Sequence, residues 1–143
     1  LFACLPILSF SIFNQNDPVD SEEIKKLIDA SYFHGAFNEL NPEAMAKGFH
    51  PDFAIFSPKG EDIRKYPIKD WVENTRKRKS DPEFDPKKNV WEGKVVKLDI
   101  TGNSASAKIE LRKDKQLIYT DYLSLLKFES GWKIVAKVYH KHP

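Results

Sequence analysis

Helical sequence comes first in this chain and strand sequence comes last. Residues 20–50 carry apolar side chains at helical spacing, whereas residues 89–140 are predicted as four long β-strands separated by tight turns. Helices segregated from a run of antiparallel strands indicate an α+β domain. A strongly curved sheet folded around helices tends to enclose a cavity. The order of the elements therefore predicts a small domain with an internal pocket.

Composition supports a packed domain and excludes several classes of protein. The 143 residues are enough for one domain, and 41% of them are apolar, including ten Phe, five Tyr and three Trp. The net charge of +2 gives no indication of a nucleic-acid partner. The single cysteine, Cys4, excludes an internal disulfide framework and a cysteine-rich metal site. We predict no cofactor.

The first residues differ in character from the rest. Residues 1–13 contain no charge, and residues 14–19 are polar and turn-forming. This pattern is typical of the end of a signal peptide, so residues 1–19 are predicted as a signal-peptide remnant and linker, and residues 20–143 as the domain. Residues 1–4 also resemble a lipoprotein box, so we expect a periplasmic, secreted or lipid-anchored protein. An apolar arm packed on the domain is the alternative, since thirteen residues are too few to span a membrane.

Three helices and two short strands are predicted before residue 80. Ser21 is the expected N-cap of the first helix, and Asn41 with Pro42 opens a short second helix that ends near His50. Residues 53–58 and 63–66 are strand candidates joined by a turn. The third helix is predicted over residues 68–79, and the basic run at its end suits the negative pole of a helix.

The later strands carry signals of bending and of contact on both faces. Apolar parity changes between Val95 and Val96, which predicts a β-bulge. Residues 117–128 are apolar on both faces, so both faces should be covered. We expect the helices to cover one face and a second subunit to cover the other, convex face through Leu123, Leu125 and Val135.

Pairing across the last turn decides which residues share a face. If Phe128 lies opposite Trp132, Tyr122 lies opposite Val138 and Thr120 opposite His140. A one-residue slip would place Asp121 opposite His140 instead. Gly131 suits a three-residue loop with a bulge and favours the first register. That register predicts an inward face that carries Tyr122, Ser124, Trp132, Ile134 and His140, and an outward face that carries Asp121, Leu123, Leu125, Val135 and Lys137.

At this point the chain resembles a known superfamily. The element order, the run YTDYLSLLK at residues 119–127 and the run GWKIV at residues 131–135 are similar to the putative lumazine-binding branch of the nuclear transport factor 2-like (SnoaL-like) superfamily. The resemblance implies a cone-shaped, cystatin-like α+β fold with a curved antiparallel sheet around three helices. It also implies a ligand cavity and a homodimer through the convex sheet face. The superfamily includes isomerases, dehydratases, cyclases and members that only bind.

One catalytic branch of the superfamily can be compared residue by residue. The general-base Asp of the ketosteroid isomerases aligns with Ser57, their second carboxyl with Ser124 and their oxyanion-hole Tyr with Phe33. A serine hydroxyl cannot replace a carboxylate base unaided, and Phe donates no hydrogen bond. Ketosteroid isomerase activity is therefore not expected.

The candidate site is a cavity lined by aromatic side chains, since Tyr and Trp can grip a ligand through a polar atom. The predicted ligand-binding residues are Phe33, Phe53, Trp71, Trp91, Tyr122, Ser124, Trp132 and His140. We favour a non-catalytic binder of a small, flat, largely apolar or aromatic ligand. The alternative is a lyase or isomerase with His140 or Asp121 as proton carrier, and a third class is an interaction module with a collapsed cavity.

Two polar clusters have more ordinary explanations. His140 and His142 point the same way on a strand but lack a third ligand nearby, so no metal site is predicted. Asp121 needs a partner if it is buried. Lys137 is diagonal to it in the favoured register, which indicates a cross-strand ion pair at a dimer surface; a catalytic carboxylate is the alternative.

Overall fold

The computed structural model describes residues 17–143, so the predictions about residues 1–16 lie outside the described part of the chain. Helix α1, Pro18–Leu27, begins after Asp17, whose side chain accepts a 2.9 Å hydrogen bond from the Val19 backbone N–H. The prediction of Ser21 as N-cap is wrong. Asp17 caps the helix because Pro18 suits the first helical position, which places Ser21 inside the first turn.

Helix α1 continues without a break into a π-helix, Ile28–Asn38. The Glu39 backbone N–H donates to the His34 carbonyl at 2.8 Å, an interval of five residues. Tyr32 and Phe37 are also five residues apart, and their ring centroids lie 5.3 Å from each other. π-Helical turns are rare and occur frequently at functional sites. Here the wider turn places two aromatic side chains next to each other.

The elements up to residue 79 follow the sequence prediction closely. Helix α2 is Pro42–Gly48 with Asn41 as its N-cap, strand β1 is Phe49–Lys59, strand β2 is Asp62–Pro67 and helix α3 is Ile68–Lys79. Strand β1 begins earlier than predicted, so His50 belongs to the strand. A Cβ atom on Gly48 would lie 2.3 Å from the Ser31 side chain, so glycine permits this close approach of two helices.

Four further strands complete one six-stranded sheet: β3, Glu92–Thr101; β4, Ser104–Lys113; β5, Gln116–Phe128; and β6, Gly131–Lys141. The strand order is β2-β1-β6-β5-β4-β3. The sheet is curved and open, as the predicted α+β fold requires. The bulge near Val96 is confirmed. The prediction of an antiparallel sheet is wrong for one pair, because β1 and β6 pair in parallel. These two strands are far apart in the chain, so no local signal indicates their contact.

The last hairpin contains a bulge inside β6 that the sequence prediction missed. Phe128 pairs with Gly131 across a two-residue turn, and the register then shifts at Val135. Beyond the bulge, Tyr122 lies opposite Val138 and Thr120 opposite His140, as predicted. The pairing of Phe128 with Trp132 is wrong, because the additional residue sits inside β6 and not in the turn.

This bulge reverses the predicted faces of the sheet. Leu123 and Leu125 are buried against the helices within a single chain, whereas Tyr122 is 49% exposed and Val138 51% exposed on the opposite face. The prediction that Leu123, Leu125 and Val135 form an outward contact face is therefore wrong. Trp132 and Ile134 come before the bulge in β6, and they do face inward. After the bulge the alternation shifts by one residue, so the inward side chain there is odd-numbered, as in Lys137.

Candidate functional site

A cavity of about 400 Å³ lies between the π-helix, helix α3 and the concave side of the sheet. Five aromatic side chains supply much of its wall: Phe37, Tyr66, Trp71, Tyr119 and Tyr139. Four cationic side chains also line it: Arg64, Lys65, Arg78 and Lys137. None of the described residues that line this cavity is acidic. The cavity therefore combines flat apolar walls with a positive lining.

Lys137 is the most enclosed of these cations. The residue is 5% exposed, and its Nζ lies over the rings of four aromatic side chains. The distances from Nζ to the ring centroids are 5.2 Å for Tyr32, 5.6 Å for Phe37, 5.3 Å for Trp71 and 5.2 Å for Tyr139. Contacts of this length are within the range of cation–π attraction. The amine is thus buried in the wall between aromatic rings.

Three polar groups from three elements meet beside the cavity. Lys137 Nζ donates to Tyr32 Oη at 2.6 Å and lies 3.2 Å from Asp121 Oδ2, and the Tyr32 hydroxyl donates to the same carboxylate oxygen. Asp121 is fully buried, and its Oδ1 has no hydrogen-bond partner among the described residues. We refer to Tyr32, Asp121 and Lys137 as the buried triad.

Burial controls the protonation of the triad. Removal from water disfavours a charged ammonium, and this lowers the pKa of Lys137 although the nearby Asp121 acts in the opposite direction. Burial also raises the pKa of Tyr32 well above its ordinary value, and the Asp121 charge adds to the effect. Tyr32 consequently remains a hydrogen-bond donor at neutral pH.

The residues predicted to bind ligand occupy three different places. Trp71 lines the cavity. Phe33, Phe53 and Trp132 lie in the apolar core, where Phe53 stacks on Trp71 with a centroid distance of 6.0 Å. Trp91 stacks on the lining residue Tyr119 at 6.0 Å. Any direct ligand contact of these four residues remains a prediction.

The other three predicted residues lie on the outer face of the sheet. Tyr122, Ser124 and His140 are exposed there, so the structure does not bring them together with Trp71. The cause is the bulge at Val135, which reverses the face assignment. The prediction that they share the inward face is wrong.

The predicted ion pair between Asp121 and Lys137 is confirmed, but the third member of the triad was missed. The sequence prediction placed the pair on an outward dimer surface, and it considered Phe33 in place of its neighbour Tyr32. The signal in the sequence was the position of Asp121 between Tyr119 and Leu123 on one face of β5. Such neighbours indicate that the carboxylate is buried, and a buried carboxylate needs hydrogen-bond donors. A tyrosine in the aromatic part of the first helix could have supplied one.

The described residues offer neither a metal-binding group nor a membrane-spanning helix. Over residues 17–143, no three His, Cys, Asp or Glu side chains gather as a metal-binding group. His142 Nε2 instead lies 2.8 Å from Thr120 Oγ1, and the His140 ring contacts the His142 ring edge-to-face. In the same residues, no helix has both the length and the apolar character that crossing a bilayer requires.

Comparison with known proteins gives related folds across most of the chain. The chain is similar to an NTF2-like (nuclear transport factor 2-like) protein of unknown function from Shewanella baltica OS155. The identity is 25% and the TM-score 0.71, with coverage of 91% of this chain and 99% of that one. An NTF2-like protein of unknown function from Methylobacillus flagellatus KT gives 26% identity, a TM-score of 0.66 and coverage of 89% and 95%.

Sequence comparison adds one relative with a named activity and one family. A protein from a Cladobotryum species named aldolase FrzH is 27% identical over 132 residues, which cover 87% of this chain and 96% of that protein. Residues 19–140 match the family described as putative lumazine-binding. Because this match covers nearly all of the described fold, the chain belongs to that family, within the NTF2-like superfamily.

Proposed function

We propose that this protein binds a small, flat, oxygen-bearing aromatic molecule in the cavity beside the buried triad. The observation that carries the proposal is the enclosed Lys137 amine in an aromatic wall, within a cavity whose other charged lining residues are also cationic. A purely apolar ligand, as the composition alone suggested, would offer these cations no acceptor inside the cavity. A ligand with carbonyl or carboxylate oxygens would satisfy them.

The walls support a planar shape for the ligand. Trp71, Tyr119 and Tyr139 present rings to a cavity of about 400 Å³, a volume within the range of small-molecule sites. Aromatic rings prefer offset-stacked or edge-to-face contact with other flat rings. The family description names lumazine, a bicyclic ring with two carbonyl groups, which has the predicted shape and polarity.

The proposal can be tested by fluorescence titration with lumazine and with 4-methylbenzoate, a flat anion. Trp71 lines the cavity, so either ligand should quench tryptophan emission, and Trp71→Phe should remove most of the response. Arg78→Gln should weaken binding of 4-methylbenzoate, because it removes a lining cation without adding bulk. His140→Ala is the matched control, since His140 lies on the outer face.

Two results would contradict the proposal. One is an unchanged emission with both compounds up to their solubility limits. The other is equal weakening by Arg78→Gln and His140→Ala, because a ligand bound outside the cavity would not distinguish a lining residue from an outer one.

Catalysis is the second candidate function, and a specific observation favours it. The buried triad holds an amine, a phenol and a carboxylate within hydrogen-bond reach of one another, and the amine of Lys137 belongs to the wall of the cavity. The similar Cladobotryum protein is named an aldolase, so carbon–carbon bond chemistry on a carbonyl compound is the activity to assay first. His140 is no longer the proton carrier of choice, because it faces away from this cavity.

We retain a homodimer as a proposal but move its contact face. The exposed apolar side chains on the outer face of β5 and β6 include Tyr122, Leu126 and Val138. Val138→Glu should shift a dimer towards monomer in analytical ultracentrifugation. A wild-type protein that remains monomeric at high concentration would contradict the proposal.

A further inference from the structure

Lys137 differs from an ordinary surface lysine in the direction from which it can be reached. Its side chain is 6% exposed, and the lysine contributes to the lining of the cavity. The rings of Tyr32, Phe37 and Trp71 have centroids 5.2–5.6 Å from its amine, and Phe37 and Trp71 line the same cavity. A molecule held in the cavity is therefore the reactant best placed to meet this nitrogen.

We propose that Lys137 is an amine nucleophile that forms a Schiff base with the carbonyl group of a flat aromatic aldehyde or ketone bound in the cavity. This inference rests on the proposed function, because it assigns chemistry to the same site. It names the class of ligand, a carbonyl compound, and the atom that reacts with it, Lys137 Nζ.

The groups around the amine determine whether it can react. Those on neighbouring elements and on its own strand are Tyr32, Tyr119, Asp121 and Tyr139. Those that share the lining of the cavity are Arg64, Lys65, Tyr66 and Arg78. Asp121 is the sole acidic member of this described set, and it contacts Lys137 directly.

Nucleophilic attack requires a neutral amine, and the surroundings favour one. Burial lowers the pKa of Lys137, so a larger fraction is neutral at a given pH than for a solvated lysine. The contact with Asp121 opposes this change but does not reverse it. Reactive lysines in hydrophobic pockets are activated in the same way.

The rest of the triad supplies a route for the protons. Lys137 Nζ forms a bond to the carbonyl carbon, and the carbonyl π electrons move to oxygen to give a carbinolamine. The two N–H protons of the amine are transferred to that oxygen, which leaves as one water molecule when the C=N bond forms. Tyr32 bridges the amine and Asp121, and Asp121 Oδ1 has a free acceptor position among the described residues, so the two residues can relay these protons.

Reductive trapping tests the inference directly on the wild-type protein. The full chain is incubated near pH 7 with 4-carboxybenzaldehyde and sodium cyanoborohydride, then analysed by intact mass and by tandem mass spectrometry of peptides. We expect one adduct that adds the mass of the probe less one oxygen, located on Lys137. No adduct, or adducts spread over exposed lysines with no preference for Lys137, would overturn the inference.

Variants separate reactivity from folding. Lys137→Arg keeps a cation but should form no adduct at this position, whereas Lys141→Met, on the same strand but exposed, should be labelled like the wild type.

Asp121→Asn should move the labelling of Lys137 to lower pH, because Asp121 holds the pKa of Lys137 up. Tyr32→Phe should slow labelling without changing which residue is labelled. Circular dichroism establishes that each variant is folded before it is scored.

Binding of 4-methylbenzoate, which lacks the aldehyde, distinguishes the two proposals. If it binds and Lys137 is not trapped, the Schiff-base inference is wrong and the binding function stands. If Lys137 is trapped but 4-methylbenzoate does not bind, the amine is reactive and the proposed ligand class is wrong. Each result therefore decides one proposal independently of the other.

Discussion

Two Asp–Lys contacts involve strands β5 and β6, and they differ in exposure and in their effect on the lysine. In the first, Lys127 Nζ and Trp132 Nε1 both donate to Asp20 Oδ1, at 2.6 Å and 2.9 Å. In the second, the buried triad, Lys137 Nζ lies 3.2 Å from Asp121 Oδ2. The Lys127 side chain is 44% exposed, whereas that of Lys137 is 6% exposed.

This difference in exposure changes the sign of the effect on the lysine. The hydrogen bond to Asp20 raises the pKa of Lys127, and the hydrogen bonds from Lys127 and Trp132 lower the pKa of Asp20. For Lys137 the desolvation of the ammonium is larger than the attraction of Asp121, so its pKa falls. An Asp–Lys contact therefore accompanies a raised pKa in the half-exposed Lys127 and a lowered pKa in the buried Lys137.

The largest expected effect follows from breaking the buried contact. Lys137→Met leaves the Asp121 carboxylate buried with Tyr32 alone, and removal of one partner from a buried ion pair costs about 3–5 kcal/mol of unfolding free energy. The double variant Asp121→Leu with Lys137→Met should recover part of this loss, since no charge is left uncompensated. Urea denaturation measures both. Lys127→Met is the matched control, and a loss as large as that of Lys137→Met would remove the distinction between the contacts.

A second test displaces the helix that carries the triad tyrosine. A Cβ atom on Gly93 would lie 2.2 Å from the Phe33 ring, and Phe33 is the neighbour of Tyr32. Gly93→Ala should therefore cost about 1–3 kcal/mol through overpacking, and it should also slow the trapping of Lys137. Thermal unfolding and the trapping assay are the measurements. Unchanged stability would mean that the Phe33 ring can move aside and that its contact with Gly93 does not fix the position of the π-helix.

A third test uses pH to examine the exposed contact. The pKa of Asp20 is lowered in the fold, so its stabilising contribution is present above the ordinary value of 3.8 and is lost as the pH falls through the folded value. Wild type should thus be more stable than Asp20→Asn near pH 7, and the difference should shrink in acid below pH 3.8. Urea midpoints at neutral and acid pH provide the measurement, and a difference that persists in strong acid would contradict this explanation.

The smallest effect is expected where neither contact is touched. His140→Ala changes an exposed side chain on the outer face, so it should alter the unfolding free energy by no more than about 0.5 kcal/mol. Ligand titration and Lys137 trapping should be unchanged at protein concentrations that keep the oligomeric state constant. A loss of ligand binding in His140→Ala would indicate that His140 faces the ligand, as the sequence predicted.

Local sequence signals predicted local structure well. Helix α3 has the bounds that its pattern predicted, Asn41 and Pro42 open helix α2, and the parity change at Val96 marks a bulge. Each of these features depends on residues adjacent in the chain. The aromatic-lined cavity was predicted in kind, but of the eight residues named for it only Trp71 is part of the observed lining.

The errors in the assignment of residues to the two sheet faces come from one residue. The predicted face of β6 assumed one alternation from the turn to the end of the strand, and the bulge at Val135 interrupts it. A bulge depends on how one strand is accommodated against another, and a pattern of period two cannot reveal the point at which the period is broken. Tyr122 and His140 were therefore assigned to the cavity, and Lys137 was assigned to the surface.

The sequence by itself determined the α+β class, the order of helices and strands, and membership of a family with a ligand cavity. Those properties follow from apolar periodicity, turn residues and short motifs, all of which are local. Only the tertiary structure decided that Tyr32 joins Asp121 and Lys137 and that the group is buried. Tyr32 lies far from both strands in the chain, and its contact with them and the reduced pKa of Lys137 exist only when packing excludes water around them.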